Sequence, residues 1–305
     1  MSPARKQNER APTTLLIACD GDTDVHSIAE DLRRAGLPAA VRAVVFSVAD
    51  LLPIPAPAKG RTQPAAARRA RERTAQALEG ARQVADRAAG QLRAAFPGWE
   101  IATEVQADAP AWAIVKKADG WRPDLIVLCS HNRSTLHRVL LGSVSHSVLV
   151  HASGSVRIVR PPRGGTAAPP ALVIGIDGSP AAAAAAAAVA RRNWPRGSNV
   201  LLLTVVDPTL ASVLGFSDDT DDERDAAARL ADSAAAALRA AGLTVSSAVL
   251  EGDPKRVLVE QADSCDATCV FVGARGLRAV DRILLGSVSA SVAARAHCSV
   301  EVVRS

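Results

Sequence analysis

Two short stretches hold the residue types best suited to chemistry in this chain. Gly273-Ala-Arg-Gly276 is followed, after nine residues, by Gly286-Ser287. The apolar run Thr268-Cys-Val-Phe-Val272 before them reads as a buried strand. Ser287-Val-Ser-Ala-Ser-Val-Ala-Ala-Arg-Ala296 after them reads as a helix with Ser287 at its N-cap. Glycine has no Cβ, so backbone there can approach a ligand closely. The first N–H groups of a helix lack partners and lie at the positive end of its dipole, which favours an anion. A strand end and a helix start of this kind make a phosphate cradle from two separate pieces of backbone. It is not a Walker A loop, because Leu277-Arg278 stand where Lys and then Ser or Thr are required. The alternative is that the glycines only shape a strand–turn–helix.

Such a cradle needs a sheet edge to hold it, and the chain supplies strands and helices in alternation. Leu15-Leu-Ile-Ala-Cys-Asp20-Gly21 is an apolar strand ending on an acidic turn. A helix at 24–35, a strand at 41–48, a proline-rich loop at 51–64 and a long Ala/Arg helix at 65–95 follow. Then come a strand at 100–106, a helix at 109–117, a strand at 124–128, a helix opening at Gly142-Ser143, and a strand at 155–159. Residues 161–170, dominated by Pro and Gly, read as a linker. The plan then restarts with Ala171-Leu-Val-Ile-Gly-Ile-Asp177-Gly178. The second half gives a helix at 181–192, a strand at 199–206, an acidic loop at 218–222, a helix at 223–241, a strand at 243–250 and a helix at 254–262. The glycine stretch, its helix and a last strand at 299–303 complete it.

The two halves repeat residue by residue. Shifted by 144 positions, Arg138–Arg160 falls on Arg282–Arg304 with 14 of 23 positions identical, too many for coincidence of composition. Asp20 and Asp177 are 157 apart, so the first copy holds extra chain, placed at the proline-rich loop. Strand–helix alternation predicts an α/β fold: two tandem Rossmann-like, doubly wound domains, each a five-stranded parallel sheet flanked by helices. Their expected extents are 13–160 and 171–305, after a disordered tail at 1–12. Ligands in such sheets sit beyond the carboxyl ends of the strands, where strand order reverses. Asp177 and Gly273 both lie just past strand ends.

Composition narrows the function classes. No apolar run approaches the roughly 20 residues that span a bilayer. The polar start Ser2-Pro-Ala-Arg-Lys-Gln-Asn-Glu-Arg10 lacks a secretory signal's apolar core, so a cytoplasmic protein is expected. Five cysteines without zinc or disulfide spacing fit a reducing compartment. The basic cluster Arg68-Arg-Ala-Arg-Glu-Arg73 lacks interleaved aromatics, which are 3% of the chain, so it reads as a solvated helix face rather than a nucleic-acid surface.

The spacing Gly273-x2-Gly276-x9-Gly286-Ser287 resembles the nucleotide-binding motif of the universal stress protein family. The resemblance extends to Val173-Ile-Gly-Ile-Asp177-Gly-Ser179, Thr204-Val-Val-Asp207, Glu251-Gly-Asp-Pro254 and Cys298-Ser-Val-Glu-Val-Val303, and covers nearly the whole chain as two copies. It implies a flavodoxin-like sandwich with the fifth strand at a pairing edge, and ATP, with or without Mg, as the cofactor. By the same resemblance Asp177 and the main chain of Val205 would flank adenine and ribose. Val272, Gly273, Arg275 and Gly276 would line the phosphate loop, and Gly286, Ser287, Val288 and Ser289 would hold phosphates from the helix start, the two serine hydroxyls donating. The first copy departs from the pattern: Cys129 and Asn132 stand at the glycine positions, although Asp20 and Gly142-Ser143-Val144-Ser145 survive. A side chain at Cys129 is expected to intrude where phosphate-facing backbone should be bare. His131 and His137 near this loop complete no nucleophile–base–orienter set.

The leading expectation is a nucleotide-binding stress-response protein with ATP in the second copy as a regulatory ligand. The alternatives are a slow ATP-hydrolysing or phosphate-transferring enzyme, and a structural tandem adaptor without nucleotide. Assembly is expected through the final strands, Ser155–Val159 against Ser299–Val303, as an intramolecular pseudo-dimer, with a homodimer left open. Neither nucleic acid nor membrane is expected as a partner.

Overall fold

The computed structural model describes residues 12–51, 65–129, 141–161, 168–207, 219–276 and 285–304. The expected tail, the proline-rich loop from 52, most of the linker, and the segment carrying His131, Asn132 and His137 lie outside the described residues.

The first copy runs β1 (Thr13–Ala18), α1 (Asp22–Arg33), β2 (Val41–Asp50), α2 (Ala65–Ala95), β3 (Glu100–Asp108), α3 (Pro110–Trp121), β4 (Leu125–Cys129), α4 (Ser143–His151) and β5 (Val156–Val159). The second runs β6 (Ala171–Gly175), α5 (Pro180–Ala190), β7 (Asn199–Val206), α6 (Asp219–Ala240), β8 (Thr244–Glu251), α7 (Pro254–Ser264), β9 (Cys269–Gly273), α8 (Ser287–Arg295) and β10 (Ser299–Val303). The acidic stretch expected as a loop at 218–222 instead begins α6 at Asp219. Carboxylates in a first helical turn face the positive end of the dipole, so the cluster opens the helix rather than delaying it.

All ten strands form one sheet in the order β3-β2-β1-β4-β5-β10-β9-β6-β7-β8. Within each copy every pairing is parallel, and β5 meets β10 antiparallel. The expected pairing of the final strands is therefore what joins the copies. Central strands covered on both faces carry unbroken apolar runs: Leu15, Leu16 and Ile17 of β1 are all fully buried. The outermost strands β3 and β8 carry only exposed and half-buried residues, as edge strands do. The long helix α2 is held by a stripe at Ala85, Ala88, Ala89 and Leu92, one face of a 3.6-residue period. Its arginines at 68, 69 and 73 are solvent-exposed, as read from the sequence.

Cores on the two faces of the sheet differ. On the face of α3, α4, α7 and α8 the buried residues of both copies form one cluster, which passes through Val156 and Ile158 of β5 and Val300 and Val302 of β10. On the other face each copy keeps its own cluster. Between those two clusters the seam carries charged residues, taken up below.

Candidate functional site

In each copy the chain winds outward from its first strand, then crosses to the other side of it. The order reverses between β1 and β4, and between β6 and β9. In the second copy Asp177 follows β6 and the glycine stretch follows β9, so both stand over the same reversal point. This is where a doubly wound sheet leaves a crevice.

The loop after β9 is tied down on three sides. The Ala274 N–H donates to the Val303 carbonyl at 2.8 Å, which fixes it to the end of β10. The Gly286 N–H donates to the Ala274 carbonyl at 2.7 Å, which joins the two glycine pieces directly. The Ser179 hydroxyl donates to the Arg275 carbonyl at 3.4 Å, reaching across from the turn after β6. That turn is itself ordered. The Ser179 N–H donates to Asp177 Oδ1 at 3.0 Å, Gly178 takes a φ of 82°, and the Ser179 hydroxyl caps α5 by accepting from the Ala182 N–H at 3.1 Å. Sequence reasoning placed Asp177 here but missed Ser179 and Ala274. Ser-Pro at a helix start was a readable capping signal; the role of the Ala274 backbone was not readable.

The glycines have different reasons for being glycine. A Cβ at Gly276 would lie 2.6 Å from Asp177 Oδ2, so the carboxylate and this backbone occupy adjoining space. A Cβ at Gly286 would be 3.3 Å from the Ala274 carbonyl oxygen, inside the joint between the two pieces. A Cβ at Gly273 would lie 2.5 Å from the carbonyl carbon of Ala181 in the first turn of α5. Gly273 is thus required by helix packing. Cys129, its counterpart in the first copy, is only 8% exposed and belongs to the α1–α2 core, so its side chain does not intrude on the edge as expected.

α8 begins with Gly286 at the N-cap, one residue earlier than expected, and no side chain caps it. Ser287 is therefore the first helical residue, exposed at the site. The N–H groups of Ser287, Val288 and Ser289 have no intrahelical acceptor in this position. The Ser289 hydroxyl, expected to donate to phosphate, gives its proton to the Gly273 carbonyl at 2.5 Å and is buried. Its backbone N–H, not its hydroxyl, is what it offers. Val272 is 4% exposed and faces the core, so only its main chain borders the loop. Arg275 and Gly276 are exposed. Beside Arg275 sits Arg304, whose pKa is lowered by burial and then by the Arg275 charge.

Val205 lies near the end of β7. β6 ends at Gly175 opposite Leu203, and β7 continues beyond it. The Leu203 carbonyl points to the β6 side, accepting from the Ile176 N–H, and the Val206 carbonyl points to the β8 side, accepting from the Gly252 N–H. Alternation along the strand turns the polar main chain of Val205 toward the gap beyond β6, over Asp177.

The first copy keeps half of this architecture. α4 starts on uncapped Gly142, and the Ser145 hydroxyl donates to the Cys129 carbonyl at 3.1 Å, mirroring Ser289 and Gly273. The residue that would face Gly142 as Ala274 faces Gly286 lies outside the described residues.

The profile of the universal stress protein family matches residues 14–160 and again 171–304. The chain belongs to the universal stress protein family. A universal stress protein of Mycolicibacterium smegmatis is 29% identical over 209 residues, 68% of this chain and 70% of that protein. A universal stress protein of Mycobacterium tuberculosis is 34% identical over 136 residues, 44% of this chain and 48% of the relative. The crystal structure of a universal stress protein from Archaeoglobus fulgidus shares the fold, with a TM-score of 0.63 over 95% of this chain and 96% of that one at 20% identity. Among the described residues no helix of this universal stress protein is long and apolar enough to cross a membrane.

Proposed function

We propose that the second copy binds an adenine nucleotide, ATP, as a regulatory ligand. The observation that carries this reading is the hydrogen bond from the Gly286 N–H to the Ala274 carbonyl, which joins the glycine loop to the uncapped start of α8. Phosphates would lie over Gly273, Arg275 and Gly276 and against the N–H groups of Ser287, Val288 and Ser289. Adenine and ribose would lie between Asp177 and the main chain of Val205. A Cβ at Gly276 would lie 2.6 Å from Asp177 Oδ2, so the carboxylate and the loop backbone meet at one place in the crevice.

Bound ATP supplies a charged, removable wedge between α8 and the turn after β6. The chain's own residues would hold and orient it, and among the described residues no hydrogen-bonded base–orienter pair stands at the loop. Among the described residues no three metal-binding side chains converge, so Mg enters this reading only as a companion of the phosphates. Titration calorimetry of the purified chain with ATP tests it: one site per chain is expected. Mass spectrometry of nucleotide released on denaturation identifies the base. Absence of any adenine nucleotide binding would leave the tandem-adaptor alternative. Phosphate release at about 1 per second or faster, lost on changing Asp177, would make the protein an enzyme.

A further inference from the structure

The seam between the copies holds four charged groups in a row, three of them buried and Arg192 partly so. Arg157 of β5 grips Asp31 of α1 with two hydrogen bonds, Nε to Oδ2 at 2.6 Å and Nη2 to Oδ1 at 2.9 Å. Its Nη1 donates to Glu301 Oε2 of β10 at 3.0 Å. The other oxygen of Glu301 accepts from Arg192 Nη2, just beyond α5. Arg157 and Glu301 side chains are 2% and 1% exposed. Ser299 completes the set by donating to Asp31 Oδ1 at 2.7 Å. Burial alone would drive the charge off Arg157, but Asp31 and the other neighbours more than offset it, so its pKa is raised.

The position of this row is special. Arg157 lies directly opposite Glu301 in the antiparallel ladder, flanked by Ile158 opposite Val300 and Val156 opposite Val302. These two residues are also 144 apart, the offset that superposes the copies. They are thus the same position of the repeat, and the pseudo-twofold axis passes between them. A residue on a twofold axis faces its own equivalent in a like pair. The rest of the strand fits like and unlike partners alike, since Val156, Ile158, Val300 and Val302 are all aliphatic. At the axis the fit is selective. Two first copies would set Arg157 against Arg157, and two second copies would set Glu301 against Glu301.

We infer that the Arg157–Glu301 pair is a selectivity device, which makes each copy's edge strand accept the unlike copy and reject its own kind. The surface on β10 is therefore built for a β5-type partner with a cation at the axis. Asp31 and Arg192 belong to the same device: each neutralises the axis residue from within its own copy, so the two edges are solvable separately but complementary only together. Buried ion pairs gain little over apolar packing, and fixing one arrangement against its alternatives is their best-attested use.

The test uses the full chain with a specific protease site inserted after exposed Pro161, cut only once the chain has folded. Native mass spectrometry of the cut parent should show the fragments held as unlike pairs. After unfolding and refolding of the cut mixture, unlike pairs should exceed like pairs by about tenfold or more. The variant Arg157→Gln/Glu301→Gln makes the axis residues identical and should bring that ratio to about one to one, the statistical value. Arg157→Lys keeps the cation and should preserve the excess. A statistical mixture in the parent overturns the inference, as do fragments that separate entirely. A double variant that pairs as selectively as the parent also overturns it. If the double variant does not fold, the parent's own ratio decides.

Discussion

At Gly276 and Gly273 the same residue type answers two different demands, and substitution should separate them. Gly276→Val places a branched side chain against Asp177 Oδ2 at an exposed loop. Nucleotide affinity should fall at least tenfold, about 1.4 kcal/mol or more, with circular dichroism unchanged. The cause is crowding by the carboxylate: Gly276 does not take a positive φ, so backbone strain is not involved. Ser287→Ala should weaken binding less, because the backbone N–H groups remain. Asn132→Val, at the matching position of the first copy, should leave affinity unchanged in calorimetry. Gly273→Ala acts on the fold instead. Its new methyl would overlap the first turn of α5, and overpacking of this kind costs about 1–3 kcal/mol, measurable by urea unfolding. The sequence made the spacing of these glycines legible. It could not say that the two glycines face different neighbours, because those atoms come from Ala181 and Asp177, about a hundred residues away along the chain.

At the level of elements, α8 depends on one hydroxyl. Ser289→Ala removes the donor to the Gly273 carbonyl, and leaving such a buried acceptor unpaired costs about 1–3 kcal/mol. Ser145→Ala should cost a similar amount in the first copy, where the same bond runs to Cys129. Chemical unfolding of both variants checks the parity. Only Ser289→Ala should also weaken ATP, since only it loosens the loop proposed to hold phosphate. Strands and helices were readable nearly throughout because apolar runs were short and bounded by Gly, Pro or Asp. The start of α6 was missed because a run of acids was weighed as polar loop, when acids are also what a first helical turn prefers. Ser289 was read as a phosphate donor because its type suits that role; only the fold shows where its proton goes.

The whole molecule is a single sheet rather than two bodies on a tether. Hydrogen exchange should show this. Amides of β5 and β10 should be protected as strongly as those of β1 and β6, while β3 and β8 at the rims exchange sooner. Faster exchange at the seam than in either copy's centre would mean that the copies come apart while each stays folded. The pairing of final strands was legible, since two short β-branched edges in one chain cover each other. The charge row on the seam was not, because Arg157 and Glu301 are one of several differences between the aligned segments. Their meaning appears only when register puts one opposite the other.

The antiparallel seam also sets which way the molecule faces. Because β5 and β10 run in opposite directions, the carboxyl ends of the two half-sheets open toward opposite poles. Asp177 and Asp20, each just past the first strand of its copy, therefore lie toward opposite poles of the sheet. The chain is two-headed: two like ends face opposite ways, and the seam they have in common lies at the equator.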